Sequence, residues 1–366
     1  MTGRNSSKIL LIICSVGCLL PGCVAENGVE ESILREYSVN SVRVFLNVQD
    51  TPFIGIPTNI KAITDGVIIA DTGQHHIIKV DNDGEKILKF GNRGPGPGEF
   101  QSIAGLWPLE DEYLVYDYNS FKFLTFDQNG NLIDEKVFSE NPAISGSELA
   151  IPITLDVISS DIVLIPTGGR LNSLFAITNL ASGDIKYAGS PVNEFTGSYN
   201  YREAWEDYSR GKIPGSMLNL VMLGSNSEAI YSFQQTTGVL EKYTYEGEQI
   251  WEIELKIPAQ RELFEQIARN NVEIGLRNEP RQMFIYSRAM VVRDEGVALL
   301  LNMPDGYPLT VAWIPGDGSR IELVIVEGLT ISRLGFTEGF TVSHDYQFAW
   351  YVNRKNGTIY QFDWPL

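Results

Sequence analysis

The chemistry open to this 366-residue chain is narrowed first by its histidines and cysteines. There are three of each. Cys14, Cys18 and Cys23 all lie near the N-terminus, so the chain beyond them has no internal disulfide, no thiol nucleophile and no cysteine-bound metal. His75 and His76 are adjacent, and His344 is far away in sequence. A three-histidine zinc site needs imidazoles that converge from separate elements, which this spacing does not offer. No G-x-S-x-G elbow occurs. The Gly-rich stretch FGNRGPGPGEF, Phe90 to Phe100, is neither G-x-G-x-x-G opening a helix nor a loop ending in Gly-Lys-Ser/Thr, so it is no phosphate cradle. What remains is recognition chemistry. Residues 190–215 gather Tyr199, Tyr201, Arg202, Trp205, Tyr208 and Arg210. A second run, after Pro258, carries Arg277, Arg281 and Arg288 among six arginines and only four glutamates between Arg261 and Arg293. Aromatic planes beside guanidinium groups suit sugars, peptides or organic anions. His75 and His76 join these as candidate ligand contacts.

The elements that position these side chains follow from a repeat. Six segments share one plan of three apolar strands joined by polar turns, beginning at Val67, Tyr113, Ile162, Ala229, Val297 and Phe348. Their second turns read NDGE, QNGN, ASGD, EGEQ and GDGS. Gly beside Asn or Asp between alternating strands is a strong hairpin signal, because primed turns need positive φ. A weaker strand precedes the plan, as in IKAIT, IAGLWPL, ITLDVI and FTVSH. The unit is a four-stranded antiparallel meander of blade length. The sixth unit stops after its third strand, and SVRVFLNV, Ser41 to Val48, is the candidate that completes it and closes a ring. These features predict an all-β, six-bladed β-propeller over residues 41–366. A short helical insertion is expected from Ala259 to about Asn270, where Leu263, Phe264, Ile267 and Ala268 recur at helical spacing.

The first 23 residues combine Arg4 and Lys8 with the apolar run Ile9 to Leu20, too short to span a bilayer. They read as a lipoprotein signal peptide whose LLPGC box makes Cys23 the lipidation site, with SVGC at Cys18 as the alternative. Acyl chains at about 0.8 kcal/mol per buried CH₂ anchor stably when more than one is present. Residues 24–40 are expected to be a tether. The formal charge of −18 disfavours nucleic acid and anionic lipid surfaces, so contact with the membrane is expected through the anchor alone.

The repeat and the corner GNRGPGPGEF together resemble six-bladed propellers of the NHL-repeat type, specifically bacterial lipoprotein members. The corner matches that family's pattern between blades one and two, and the other junctions depart from it. Within this resemblance both long insertions fall between the outer strand of one blade and the inner strand of the next. They therefore share a face with His75 and His76. The resemblance implies a monomeric, cell-envelope protein with a ligand site at the mouth of its channel, taking a peptide, a glycan or a protein partner. Its enzymatic alternative is a lactonase-like hydrolase or lyase with a divalent ion in the channel. No cofactor is expected on the first reading. An oxygen-ligand calcium site, drawing on acids such as Asp71, Asp117 and Asp156, belongs to the second.

Overall fold

The computed structural model describes residues 33–49, 51, 54–137, 155–193, 200–275, 277, 282–331 and 338–366. The hairpin glycines do what the turns require: Gly84 and Gly130 take φ of 90° and 80°. Beside them a carboxylate fixes the turn. Asp81 Oδ1 accepts from the backbone N–H groups of Asp83 and Glu85, and Asp127 Oδ1 accepts from those of Asn129 and Asn131. Each hairpin therefore has a defined register, and six antiparallel sheets result.

Four of the sheets run from an inner to an outer strand in chain order, and the last two do so apart from an N-terminal strand at their outer edge. The inner strands are Pro57–Ile63, Ile103–Pro108, Asp156–Ser159, Val221–Ser225, Ser287–Arg293 and Gly339–Val342. The second strands are the most deeply buried, as in Gly66–Asp71 and Gly296–Leu301, where every residue is buried. Apolar side chains on both faces of the sheets fill the spaces between neighbouring blades. One such layer joins Ile68, Ala70 and Ile77 of blade one to Val115, Leu124 and Phe126 of blade two. The molecule is a six-bladed β-propeller.

Two N-terminal strands join the last two blades, and the second closes the ring. Strand β1 (Ile33–Val39) lies parallel to Arg320–Val326 as a fifth strand on blade five. Strand β2 (Val42–Asn47) pairs antiparallel with Thr358–Asp363 and supplies the outer strand of blade six, so the predicted closure is present. The expected tether, residues 24–40, is thereby shortened. Its last part alternates Leu34, Glu36 and Ser38 with Arg35, Tyr37 and Val39, and it finds a free sheet edge. Residues 1–23, including Cys23, lie outside the described residues.

The Gly-rich stretch from Phe90 to Phe100 is a tight corner between blades one and two. Asn92–Arg93 and Glu99–Phe100 form a short parallel pair. Phe100 is fully buried against Phe126 between blades one and two, with ring centroids 5.7 Å apart. Gly91 has φ 78°, and a Cβ there would run into the Phe100 ring. Only glycine fits this turn.

The crossings are strapped by a recurring device. Asp71, the last residue of its strand and fully buried, accepts from the backbone N–H groups of Gly55, Ile56, Gly73 and Gln74 at 2.5–3.1 Å. Asp117 does the same in blade two for Gln101, Ser102 and Asn119. In blade five, Asn302 takes the position and donates to the Ile285 carbonyl.

Both insertions contain helices. Helix α1 (Tyr201–Ser209) begins at Asn200, whose side chain accepts from the N–H groups of Arg202 and Glu203. Helix α2 (Pro258–Ile274) starts with proline in its first turn and extends beyond the expected span. The two pack on each other through Tyr208, Leu263, Ile267 and Ala268, with Phe284 beneath. Among the described residues no helix is long and apolar enough to cross a membrane.

Candidate functional site

The inner strands converge on a cavity of about 600 Å³ along the ring axis. Each inner strand is the edge of its sheet, so side chains from all six blades reach it. Its charged lining is mixed: Lys61, Asp65 and Lys79 of blade one, Glu110 of blade two, Asp156 of blade three, Arg288 and Arg293 of blade five, and Glu338 at the entry to blade six, with Lys61 feeling the charges of both Asp156 and Arg293. Trp107, Ser225 and His344 stand beside them.

Asp156 is held from both sides. Its Oδ1 accepts from Trp107 Nε1 at 2.9 Å, and its Oδ2 accepts from Ser225 Oγ at 2.8 Å. Burial pushes its carboxyl above the usual carboxylate range, against the opposing pull of Lys61 and those two donors. Lys61 has the reverse problem. Burial lowers its ammonium below the ordinary lysine value, Asp156 partly restores it, and Arg293 lowers it further. The Lys61 side chain is only partly buried and faces the cavity, and among the described residues no carboxylate lies within ion-pair distance of the ammonium.

Arg293 is engaged by neutral groups. It donates to the carbonyls of Val342 and Val292 and to Thr341 Oγ1, at 2.6–3.2 Å. Burial brings its guanidinium down to about 10. Thr341 Oγ1 in turn accepts from the Ala62 N–H, and His344 Nε2 sits 3.3 Å from the Ala62 carbonyl. This cluster clasps blades five, six and one together on the inner side of the ring. At the other end of the cavity Arg288 donates to Asn302 Oδ1 at 3.1 Å, and the Glu338 N–H donates to the Arg288 carbonyl.

The sequence-derived candidates fall in different places. Arg288 lines the channel. Tyr208 is buried between the two helices, with its hydroxyl 3.5 Å from Met217 Sδ, so its ring packs the insertion rather than a ligand surface. Trp205 is half-buried and donates from Nε1 to the Val272 carbonyl at 3.4 Å, pinning α1 to α2. Arg202 is exposed. Arg210 is exposed and pairs with Glu206 one turn back, at 3.6 Å. Arg277 donates to the Ile274 and Glu273 carbonyls and caps the end of α2. His76 is buried 3.4 Å from Asp71 and belongs to the strap of blade one, with His75 beside it at φ 55°. Tyr199 and Arg281 lie outside the described residues, and Tyr201 is described in its backbone alone. The two insertions thus stack on each other rather than facing each other across a mouth.

Of the acids considered for calcium, Asp71 and Asp117 spend their oxygens on backbone amides. Asp156 shares its cavity with four cations, Lys61, Lys79, Arg288 and Arg293. Among the described residues no three His, Cys, Asp or Glu side chains gather as metal ligands.

Lys61 went unnoticed in the sequence, and Arg293 drew notice only as the last of the six arginines after Pro258. The available signal was a lone lysine inside an apolar inner strand, IKAIT, where a solvated residue has no reason to sit.

A six-bladed propeller with a charged axial cavity defines the class of protein. Residues 32–143 match a family described as a 6-bladed beta-propeller. No curated protein matches the chain in sequence. Among solved structures, a candidate exported protein of Bacteroides fragilis NCTC 9343 is 12% identical, with a TM-score of 0.53 over 90% of this chain and 98% of its own. A protein of unknown function from Bacteroides thetaiotaomicron VPI-5482 is 10% identical, with a TM-score of 0.50 over 88% of this chain and 75% of its own. A streptogramin B lyase is 13% identical, with a TM-score of 0.49 over 88% of this chain and 97% of its own. At such identities the likeness is one of fold.

Proposed function

We propose that the protein is a lipid-anchored, extracytoplasmic binding propeller whose ligand enters the axial channel. The observation that carries this reading is the cavity itself. It has the volume of a small-molecule site, and Lys61, Asp156 and Arg293 converge in it from three blades. Charged side chains that line an open cavity give an incoming molecule groups to pair with. The envelope location rests on the N-terminal 23 residues, with Cys23 as the lipid site. The helices α1 and α2 spend their apolar side chains on each other and on Phe284 and Tyr286, which leaves recognition to the inner strands.

The methionines provide the test. Met222 and Met290 line the channel, whereas Met217 and Met303 are buried outside it. In protein labelled with ¹³C at the methionine methyls, a fragment library of neutral and charged small molecules should contain members that shift Met222 and Met290 and leave Met217 and Met303 in place. If no member moves the two channel methyls, or if all four move alike, the channel is not the ligand site.

A further inference from the structure

We propose that one face of the ring, across blades one to three, docks a segment of another protein that carries apolar and acidic side chains. The turn between the second and third strands recurs in every blade, and one position in it always takes positive φ. It lies four residues on from Asp71, Asp117, Thr167, Gln234, Asn302 and Asn353, each of which ends or directly follows a second strand. In blades four to six it is Gly238, Gly306 and Gly357. In blades one to three it is His75, Phe121 and Leu171, at φ of 55°, 50° and 54°. Glycine adopts this conformation freely, whereas any other residue brings its Cβ close to the following carbonyl oxygen. Three blades therefore accept backbone strain to keep a side chain where their neighbours keep none. Two of those side chains return little to the core: Phe121 is 38% exposed and Leu171 59%. Strain held at the surface without packing in exchange points to a role outside the fold.

The crossings strapped to these turns add apolar surface. Ile56 is exposed against Gly73 in blade one, and Tyr118 is exposed with its ring centroid 5.9 Å from that of Phe121. Val192 is exposed beside the turn of blade three, where its N–H donates to Asn219, the residue a Cβ on Gly169 would strike. Among the described residues of blades four to six, the one large apolar side chain exposed on this face is Tyr307, and its hydroxyl is bonded to Glu262. Apolar groups exposed over neighbouring turns mark an interaction surface. Charge selects the occupant. Lys89 and Arg93 are exposed among these residues, Lys89 reaching Gln74 at 3.5 Å, and Lys122 pairs with Glu135 at 3.4 Å. The described acids of these turns and of the crossings into blades one and two are Asp71, Asp117 and Glu99, all committed to backbone N–H groups. A chain of net charge −18 thus presents cations here. A second copy docking through the same patch would set those cations against each other, so the fitting partner is a different, acidic chain.

The experiment selects random linear peptides, displayed on phage, against the full chain and measures the enriched ones as synthetic peptides by calorimetry. They should combine aromatic or aliphatic residues with Asp or Glu. Phe121→Gly and Leu171→Gly should each weaken them about tenfold or more, the loss typical of an anchoring side chain. Both variants install the residue that blades four to six already hold, so they should melt at or above the native temperature, which separates lost docking from lost folding. Lys89→Glu should weaken the acidic peptides as well, while Ile250→Ser, on the outer strand of blade four, should leave them unchanged. Enrichment of basic peptides, enrichment of none, or binding indifferent to Phe121, Leu171 and Lys89 would overturn the proposal. So would a dimer in sedimentation that Phe121→Gly dissolves, since the occupant is then a second copy, or binding to anionic vesicles that Phe121→Gly abolishes while no peptide is selected. If peptides are selected only after residues 138–154 are replaced by a Gly-Ser linker, the chain covers this face itself and the proposal falls.

Discussion

The closing strand offers the sharpest test of the architecture through a single side chain. Phe45 of β2 is 8% exposed and lies edge-on to Trp350 of blade six, with centroids 6.1 Å apart. It shares a core layer with Leu46, Val67, Val80 and Ile359, so it seals the junction between the last blade and the first. Truncating a buried phenylalanine costs about 3–5 kcal/mol, and the edge-on aromatic contact adds to the area term. The cavity in Phe45→Ala can be relieved only by moving a strand that is also held by backbone pairing to Thr358–Asp363 and by Arg43, which donates to the Gln361 side chain and to the Asn82 carbonyl. A loss near 3 kcal/mol is therefore expected, a large part of the roughly 5–15 kcal/mol that holds a typical domain. Val44 is the internal control: it is next in the chain, points outward and is 57% exposed, so Val44→Ala should stay within about 0.5 kcal/mol. Urea unfolding followed by tryptophan fluorescence measures both. If Phe45→Ala costs less than about 1 kcal/mol, or if the two variants lose equally, the closure contributes little and the ring is held elsewhere.

Asp117→Ala should cost about 3 kcal/mol or more in the same assay, because three backbone N–H groups lose their acceptor in a buried crossing; Asp117→Asn, which keeps one acceptor oxygen, should cost less. Trp205→Ala should lower stability by about 2 kcal/mol and leave ligand shifts at Met222 and Met290 unchanged, whereas a weakened ligand response at full stability would return recognition to the insertion. His344 is held below the ordinary imidazole value by burial and by Arg293, so the unfolded chain takes up its proton more readily. Stability should then fall as pH drops from about 6.5 through the folded value, and His344→Gln should flatten that part of the profile. Mass spectrometry of protein taken from membranes should find the N-terminus at an acylated Cys23; an unmodified terminus beyond it would remove the anchor, and acylation at Cys18 would move it.

What the sequence disclosed was local, and what it concealed was distant. The turns NDGE and QNGN announce themselves because φ > 0 demands glycine and the carboxylate four residues back fixes the loop within a single hairpin. The gap in blade six pointed to an N-terminal strand because one partner was visibly missing. Strand β1 gave no such sign: its partner lies almost a whole chain away, and blade five was already complete. Helix α1 was invisible because among its described side chains only Ala204 and Tyr208 are buried, which is too few to make a stripe. The aromatic-and-arginine cluster looked like a site because the sequence reports composition and not contact. Trp205 and Tyr208 turn out to be spent on α2. The channel residues are the opposite case. Lys61, Asp156 and Arg293 share no local pattern, and only ring closure brings them to one cavity.

The order in which β1 and β2 leave the N-terminal side has a mechanical meaning. Tension entering the chain at Ile33 reaches β1 first, and β1 is joined to blade five by seven successive registers from Ile33–Arg320 to Val39–Val326. Only after that ladder has been stripped does the pull arrive at β2, where the ring is latched. The extra strand thus works as a strain relief, like the clamp that keeps a tug on a cable from reaching its solder joint. A pull on the N-terminal side would be dissipated on the rim of a blade that is complete without β1. The latch at β2, and the axial cavity whose residues it holds in place, are left unloaded.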